Sequence, residues 1–108
     1  MEEKVLEKIK QVILDIASKH GVEVDRIILF GSRARGDYSE DSDWDILIVT
    51  KKKLDKETKE KLWLEVGRML VRHEIIPEII IASSEEMRKY GRYYGFVHYQ
   101  ALTEGKVL

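Results

Sequence analysis

The chain has 108 residues, of which 44% are hydrophobic and 36% are charged, so we expect one domain, residues 1–108, with its own core. Its net charge of −1 argues against direct nucleic-acid binding, because domains with that function are usually strongly basic, but it leaves room for a local phosphate site. The sequence contains no cysteine, which excludes disulfides and thiolate metal sites.

The N-terminal segment predicts an amphipathic helix. Apolar residues recur at helical spacing from Val5 to Ile16, and His20-Gly21 is typical of a helix end. The segment is charged and lacks the apolar core of a signal peptide, and no apolar run in the chain is long enough to span a bilayer. We therefore expect a cytoplasmic protein that does not contact membranes.

The rest of the chain alternates between predicted strands and helices. Short apolar runs predict strands at residues 27–30, 43–49 and 75–82. Pro77 indicates an edge or irregular start for the third strand, which follows a long amphipathic helix. Ser83 with Glu86 resembles a capping box for another helix, and a last helical pattern ends at Gly105. This order predicts an α/β (α+β) fold in which helices cover a small sheet.

Two aspartates stand at the start of the second predicted strand. Side chains alternate along a strand, so Asp43 and Asp45 share one face, with α-carbons about 6.5–7 Å apart, while Trp44 points to the other face. Leu47 and Val49 continue the aspartate face as apolar residues, which places the acids at a strand end where a cleft can open. Such a pair suits one or two Mg²⁺ ions, since two-metal sites hold their ions about 3.5–4 Å apart.

The third candidate acid is Glu78, the only charged residue in the apolar run 75–83. An unpaired buried carboxylate is costly, so if this strand lies beside Asp45, three carboxylates face one pocket. A divalent cation would offset their repulsion, and oxygen ligands without cysteine favour Mg²⁺ or Mn²⁺ over zinc.

Gly31 and Ser32 follow the first predicted strand and indicate an anion-binding turn. Glycine lets the backbone approach a ligand closely, and the free N–H groups of a helical turn that begins at Ser32 would bind phosphate. Arg33 and Arg35 could neutralise further phosphate charge. Metals at the acids and phosphate at the turn together describe a nucleoside triphosphate held for attack at phosphorus.

Each of these features also has a purely structural explanation. A Gly-Ser pair is a common turn, an Asp-x-Asp is often a strand entry, Glu78 could face solvent on an edge strand, and the two arginines could be surface charges. Their combination in this order and at this spacing favours the nucleotide site.

The Gly-Ser pair and the Asp-x-Asp together resemble the motif of a known family. The motif consists of Gly31-Ser32 followed, after ten residues, by Asp43-Trp44-Asp45, and it resembles that of the nucleotidyltransferase superfamily of DNA polymerase β. The segment GSRARGDYSEDSDWDILIV resembles the minimal nucleotidyltransferases of that superfamily in particular. The resemblance covers nearly the whole chain. It implies a mixed sheet flanked by helices, the palm-like fold of polymerase β, with ATP as substrate and two Mg²⁺ ions as cofactors.

The resemblance also implies residue roles. Gly31 and Ser32 would bind the triphosphate, and Asp43 and Asp45 would ligate both metal ions. Glu78 would ligate one ion and help to deprotonate the attacking hydroxyl. AMP would be transferred to that hydroxyl, and pyrophosphate would leave.

The acceptor is expected to come from a partner. The segment after Ala82 is too short for a separate acceptor-binding domain. Minimal nucleotidyltransferases are typically paired with a HEPN-domain protein, a helical ribonuclease toxin, and the resemblance implies an antitoxin that transfers AMP to a tyrosine of that toxin. The alternatives are a non-catalytic antitoxin that neutralises the toxin by complex formation, and a stand-alone enzyme that modifies a small molecule. The tyrosine-rich segment 87–108 would either pack on the sheet or provide a docking face.

Overall fold

Residues 2–108, which the computed structural model describes, form five helices and four strands. In chain order the elements are α1 (Glu2–Lys19), β1 (Val24–Phe30), α2 (Ser32–Arg35), β2 (Trp44–Thr50), α3 (Lys56–Arg72), β3 (Pro77–Ser83), α4 (Ser84–Tyr90), α5 (Val97–Glu104) and β4 (Lys106–Val107). Among these described residues, no helix combines the length and the apolar character that a membrane crossing requires.

The strands form one mixed sheet in the order β3-β2-β1-β4. β2 pairs with β1 in antiparallel and with β3 in parallel orientation, and β4 is antiparallel to β1. β3 is therefore an edge strand, as Pro77 at its start indicated. The small mixed sheet flanked by helices confirms the predicted fold class.

Helices cover both faces of the sheet. Ile46 and Ile48 of β2 point to the face covered by α1 and α3, where they are fully buried. Leu47 and Val49 point to the opposite face and pack with residues of α4 and α5. Each such buried side chain contributes about 1.5–3 kcal/mol relative to an exposed one. By the same alternation, Asp45 lies on the α4/α5 face, where β2 begins.

The predicted boundaries differ from the observed ones by one to three residues at the strand starts. β1 begins at Val24 because its pairing with β2 continues past the apolar run, beyond an irregularity between Val24 and Arg26. Asp43 lies one residue before β2 rather than within it. β4 was not predicted, since both of its residues are exposed and two residues show no alternation.

The predicted capping box at the start of α4 is confirmed. The Ser83 hydroxyl accepts a hydrogen bond from the Glu86 amide at 3.1 Å, and the Glu86 carboxylate accepts one from the Ser83 amide at 3.1 Å. This cap ends β3 and turns the chain into the helix that covers the α4/α5 face.

Candidate active site

The end of β1 and the starts of β2 and β3 meet at one end of the sheet. Asp45 in the central strand is the register partner of Phe30 on one side and of Glu78 on the other. Because register partners project to the same face, Asp45 and Glu78 lie side by side there. The parallel pairing extends to the residue before β3, since the Trp44 amide donates to the Ile76 carbonyl at 2.9 Å.

The turn at Gly31 packs directly against the Asp45 carboxylate. Gly31 has φ 74° and ψ −160°, a backbone conformation that side chains disfavour. A Cβ atom at Gly31 would lie 1.9 Å from the Asp45 Oδ2 atom. The Gly31 carbonyl accepts from the amides of Ala34 and Arg35 at 3.1 and 3.0 Å, so the helical turn begins at Ser32 as predicted. The structure thus brings the predicted phosphate turn and one predicted acid into contact.

The pKa of Asp45 depends on its burial and on the two other predicted acids. Burial is the main cause that raises the pKa of Asp45 from 3.8 to about 6. The Glu78 charge, a hydrogen bond shared with Glu78 and the Asp43 charge raise this pKa further, and the Arg35 charge opposes them. Asp45 and Glu78, which are register partners on neighbouring strands, therefore lie close enough to interact, and the Asp43 charge also acts on Asp45.

The donor chemistry fits a magnesium ion, although the site is not a preformed metal cage. Within residues 2–108, no group of three or more histidine or carboxylate side chains is arranged to hold a metal ion. The available donors are carboxylate oxygens, which Mg²⁺ and Mn²⁺ prefer. The Glu78 charge disfavours the ionised form of Asp45, so a divalent cation between the two carboxylates would relieve the repulsion.

The two arginines occupy different positions. The Arg33 guanidinium lies between the rings of Tyr38 and Trp44, 4.5 and 4.3 Å from their centroids. It also donates to the Ser42 carbonyl at 3.0 Å, so it holds the loop that leads to Asp43. These contacts give Arg33 a role in positioning the loop.

Arg35 lies close enough to Asp45 for its charge to act on that carboxylate. Its guanidinium pairs with Glu104 of α5 at 2.6 Å and with Asp37 at 3.3 Å. Its charge lowers the pKa of Asp45, opposing burial and the neighbouring acids. Of the two arginines, Arg35 is thus the one whose charge acts on the predicted acids.

Sequence reasoning missed the residues that support this end of the sheet. Tyr38 and Trp44 clamp Arg33, and Glu104 tethers Arg35. An arginine followed by aromatic residues is a signal that could have suggested the first contact. The second depends on where α5 packs, for which the sequence offers no local signal.

Without metal, stability is expected to depend on the ionisation of Asp45. The folded state raises the pKa of Asp45 to about 6, so between about pH 4 and 6 the folded protein binds more protons than the unfolded chain. This group's contribution to the free energy of unfolding therefore falls as pH rises through that window. The measurement is urea unfolding of the parent and Asp45→Asn at several pH values in EDTA.

The comparison with Asp45→Asn isolates this group from others. The pKa values of Asp55, Glu65 and Glu86 are lowered, so their contribution to the free energy of unfolding rises with pH, and it does so equally in the parent and in the variant. The stability advantage of the variant should grow from pH 4 to 7. An advantage that does not change with pH would show that Asp45 titrates normally.

Comparisons with known proteins identify the family of the chain. The family model described as Polymerase beta, Nucleotidyltransferase matches residues 7–108. Two proteins of Methanocaldococcus jannaschii, both provisionally named protein adenylyltransferases, are similar in sequence. One is 36% identical over 93% of this chain and 93% of its own length, and the other is 35% identical over 82% and 96%.

A solved structure shows the same fold. It is the complex of the tri-AMPylated Shewanella oneidensis HEPN toxin with its MNT antitoxin. One of its chains aligns with a TM-score of 0.58 and 20% identity, covering 99% of this chain and 71% of that chain. At this identity the likeness concerns the fold alone.

Proposed function

Because the chain belongs to the polymerase β nucleotidyltransferase family, we propose that this nucleotidyltransferase moves AMP from Mg²⁺-ATP to a tyrosine hydroxyl of a HEPN-type toxin and so acts as its antitoxin. The proposal rests on one observation: the predicted phosphate turn and two predicted acids lie next to one another at one end of the sheet. The Gly31 turn packs against the Asp45 carboxylate, and Asp45 is the register partner of Glu78 on the neighbouring strand. Residues 1–108 would form the one domain that performs the reaction.

The phosphate side of the site would be formed by the turn. Gly31 has no side chain, so the backbone can approach a triphosphate closely, and the amide and hydroxyl of Ser32 can donate to it. Arg35, whose charge already acts on the acids, would stabilise added negative charge. Arg33 would act indirectly, by holding the loop before Asp43.

The acid side would hold the metal and accept the proton. Asp43, Asp45 and Glu78 would hold one or two Mg²⁺ ions, which when bound would neutralise the charge on the triphosphate and on the departing pyrophosphate. Glu78 would accept the proton of the acceptor hydroxyl as its oxygen bonds to the α-phosphorus and the bond to pyrophosphate breaks. The products are the AMP ester of the acceptor and pyrophosphate, so atoms and charge balance.

The acceptor is proposed to be a protein for two reasons. In residues 2–108, α4 and α5 pack on the sheet, so the described segment after β3 does not build a separate acceptor domain. The sequence relatives bear names that assign adenylyl transfer to proteins, and a neighbour in fold was solved with an AMPylated toxin. A tyrosine acceptor supplied by a toxin partner is consistent with both.

The proposal is tested by mass spectrometry of the acceptor. The purified protein is incubated with ATP, Mg²⁺ and a HEPN-domain toxin protein from the same organism. Each transferred AMP should add about 329 Da to that protein and place the label on tyrosine. An acceptor whose mass stays unchanged with Mg²⁺ and with Mn²⁺ would refute the proposed reaction.

A non-catalytic antitoxin is the second candidate. It is favoured by one observation, the lack of a preformed metal-holding group among residues 2–108. In that case the protein would neutralise its toxin by complex formation alone, and the acids could be replaced without loss of protection.

A further inference from the structure

An apolar groove lies between α3 and the outer edge of β3. Its volume is about 720 Å³, and Glu78 lines it. A second hollow of about 380 Å³ lies on the other side of Trp63, along the same strand. Four large apolar side chains in the first hollow are 43–54% exposed: Trp63, Leu64, Val71 and Ile76. A contiguous apolar surface of this kind is typical of an interaction site.

One backbone carbonyl on the outer edge of β3 is already hydrogen-bonded to a side chain of α3. The Trp63 indole N–H donates to the Ile79 carbonyl at 3.1 Å, so one outward backbone acceptor on the edge strand is already satisfied. A strand that paired with β3 at this point would have to displace that hydrogen bond. An amphipathic helix can instead lie along the groove and bury apolar residues on both sides of Trp63.

Basic side chains outnumber acidic ones around the two hollows. Arg68 and Arg72 line the first hollow with Glu78, and Lys56 and Lys59 line the second with Glu60. None of these four cations takes part in a salt bridge within the described residues 2–108. Since the whole chain has a net charge of −1, the excess of positive charge around the hollows is a local feature. Charge complementarity therefore favours an acidic occupant.

We propose that this groove binds an acidic amphipathic helix of the protein that receives the nucleotide. The identity of that protein as the acceptor rests on the proposed function, whereas the chemistry of the helix follows from the groove itself. Glu78 links the groove to the site, because it lines the groove where β3 begins and is the register partner of Asp45. A helix bound in the groove would hold the acceptor protein at the edge strand that carries Glu78.

The groove is tested with two synthetic helical peptides that share one leucine stripe. Glutamates flank the stripe in the first peptide and lysines flank it in the second. In titrations followed by amide chemical shifts, the glutamate peptide should bind at least about tenfold more tightly and shift residues of α3 and β3 together with the Trp63 indole. The titrations contain no nucleotide, so their outcome does not depend on whether the protein transfers AMP.

A charge-reversal variant provides the matched control. Arg68→Glu with Arg72→Glu should abolish the preference for the glutamate peptide. Lys4→Glu with Lys8→Glu, an exposed pair of the same spacing on α1, should keep it. The proposal is overturned by absent or equal binding of the two peptides, by shifts that map elsewhere, or by a dimer of the protein that occupies the groove.

Discussion

Replacing Asp43 and Asp45 together by asparagine is expected to lower the rate of AMP transfer by at least about a hundredfold, because both proposed metal ligands lose their charge. Asparagine keeps the shape of each side chain and removes the Asp45 charge, which burial and the neighbouring acids disfavour. The double variant should therefore be at least as stable as the parent in the absence of metal. Loss of activity without loss of stability is the signature expected of residues that serve the reaction.

The measurement is the initial rate of AMP incorporation into the partner protein, with thermal unfolding measured on the same samples. A matched control is Asp15→Asn with Glu3→Gln, which removes the same charge from two exposed positions of α1, outside the site. That control should transfer AMP at the parental rate. If the Asp43/Asp45 variant retains the parental rate, or protects cells from the toxin as well as the parent does, binding rather than catalysis is the function.

Replacing Gly31 by alanine is expected to cost about 2–4 kcal/mol of stability, because it combines backbone strain with a steric clash. The positive φ of 74° is unfavourable for alanine, and the new Cβ atom would lie 1.9 Å from the Asp45 Oδ2 atom. The Asp45 carboxylate or the turn must then move, so AMP transfer should also fall to near background. Urea unfolding and the transfer assay measure the two effects.

Gly36 offers a control that separates strain from contact. Its φ is also positive, at 92°, but a Cβ atom there would meet nothing within 4 Å. Gly36→Ala should therefore cost only the strain, about 1 kcal/mol, and leave transfer largely intact. Equal effects of the two substitutions on activity would mean that the approach of Gly31 to Asp45 has no functional importance.

The local backbone conformation around the proposed site could be predicted from the sequence, because it follows from rules that act over a few residues. Side-chain alternation along β2 correctly separated the face of Asp45, Leu47 and Val49 from the face of Ile46 and Ile48. The Gly-Ser pair after an apolar run predicted a turn, and the structure has its helical turn begin at Ser32. Periodicity and capping residues act over a few positions, so a single sequence displays them.

The position of Glu78 beside Asp45 could not be predicted from the residues alone. It requires β3 to pair with β2 in one particular register, and strand order depends on how α3 crosses the sheet. The same limit applies to the Arg35–Glu104 pair, whose members are far apart in sequence. Both contacts are consequences of tertiary packing, which no local pattern encodes.

Arg33 illustrates a different limit of prediction from sequence, namely the choice of a side chain's contact partner. Its charge and its place beside the Gly-Ser pair favoured a phosphate ligand, yet its guanidinium lies between Tyr38 and Trp44 and holds the loop. Residue type indicates what a side chain can bind but not which of several available partners it contacts. The aromatic residues nearby compete with a phosphate for the same guanidinium.

The central claim is that the acids at the starts of β2 and β3 hold Mg²⁺-ATP against the turn at Gly31. The most direct test is a crystal structure of the protein with Mg²⁺ and a non-hydrolysable ATP analogue. We expect carboxylate oxygens of Asp43 and Asp45 at about 2.1 Å from a Mg²⁺ ion, and the triphosphate along the Gly31-Ser32 backbone. An analogue bound elsewhere, with neither aspartate on the metal, would contradict the account.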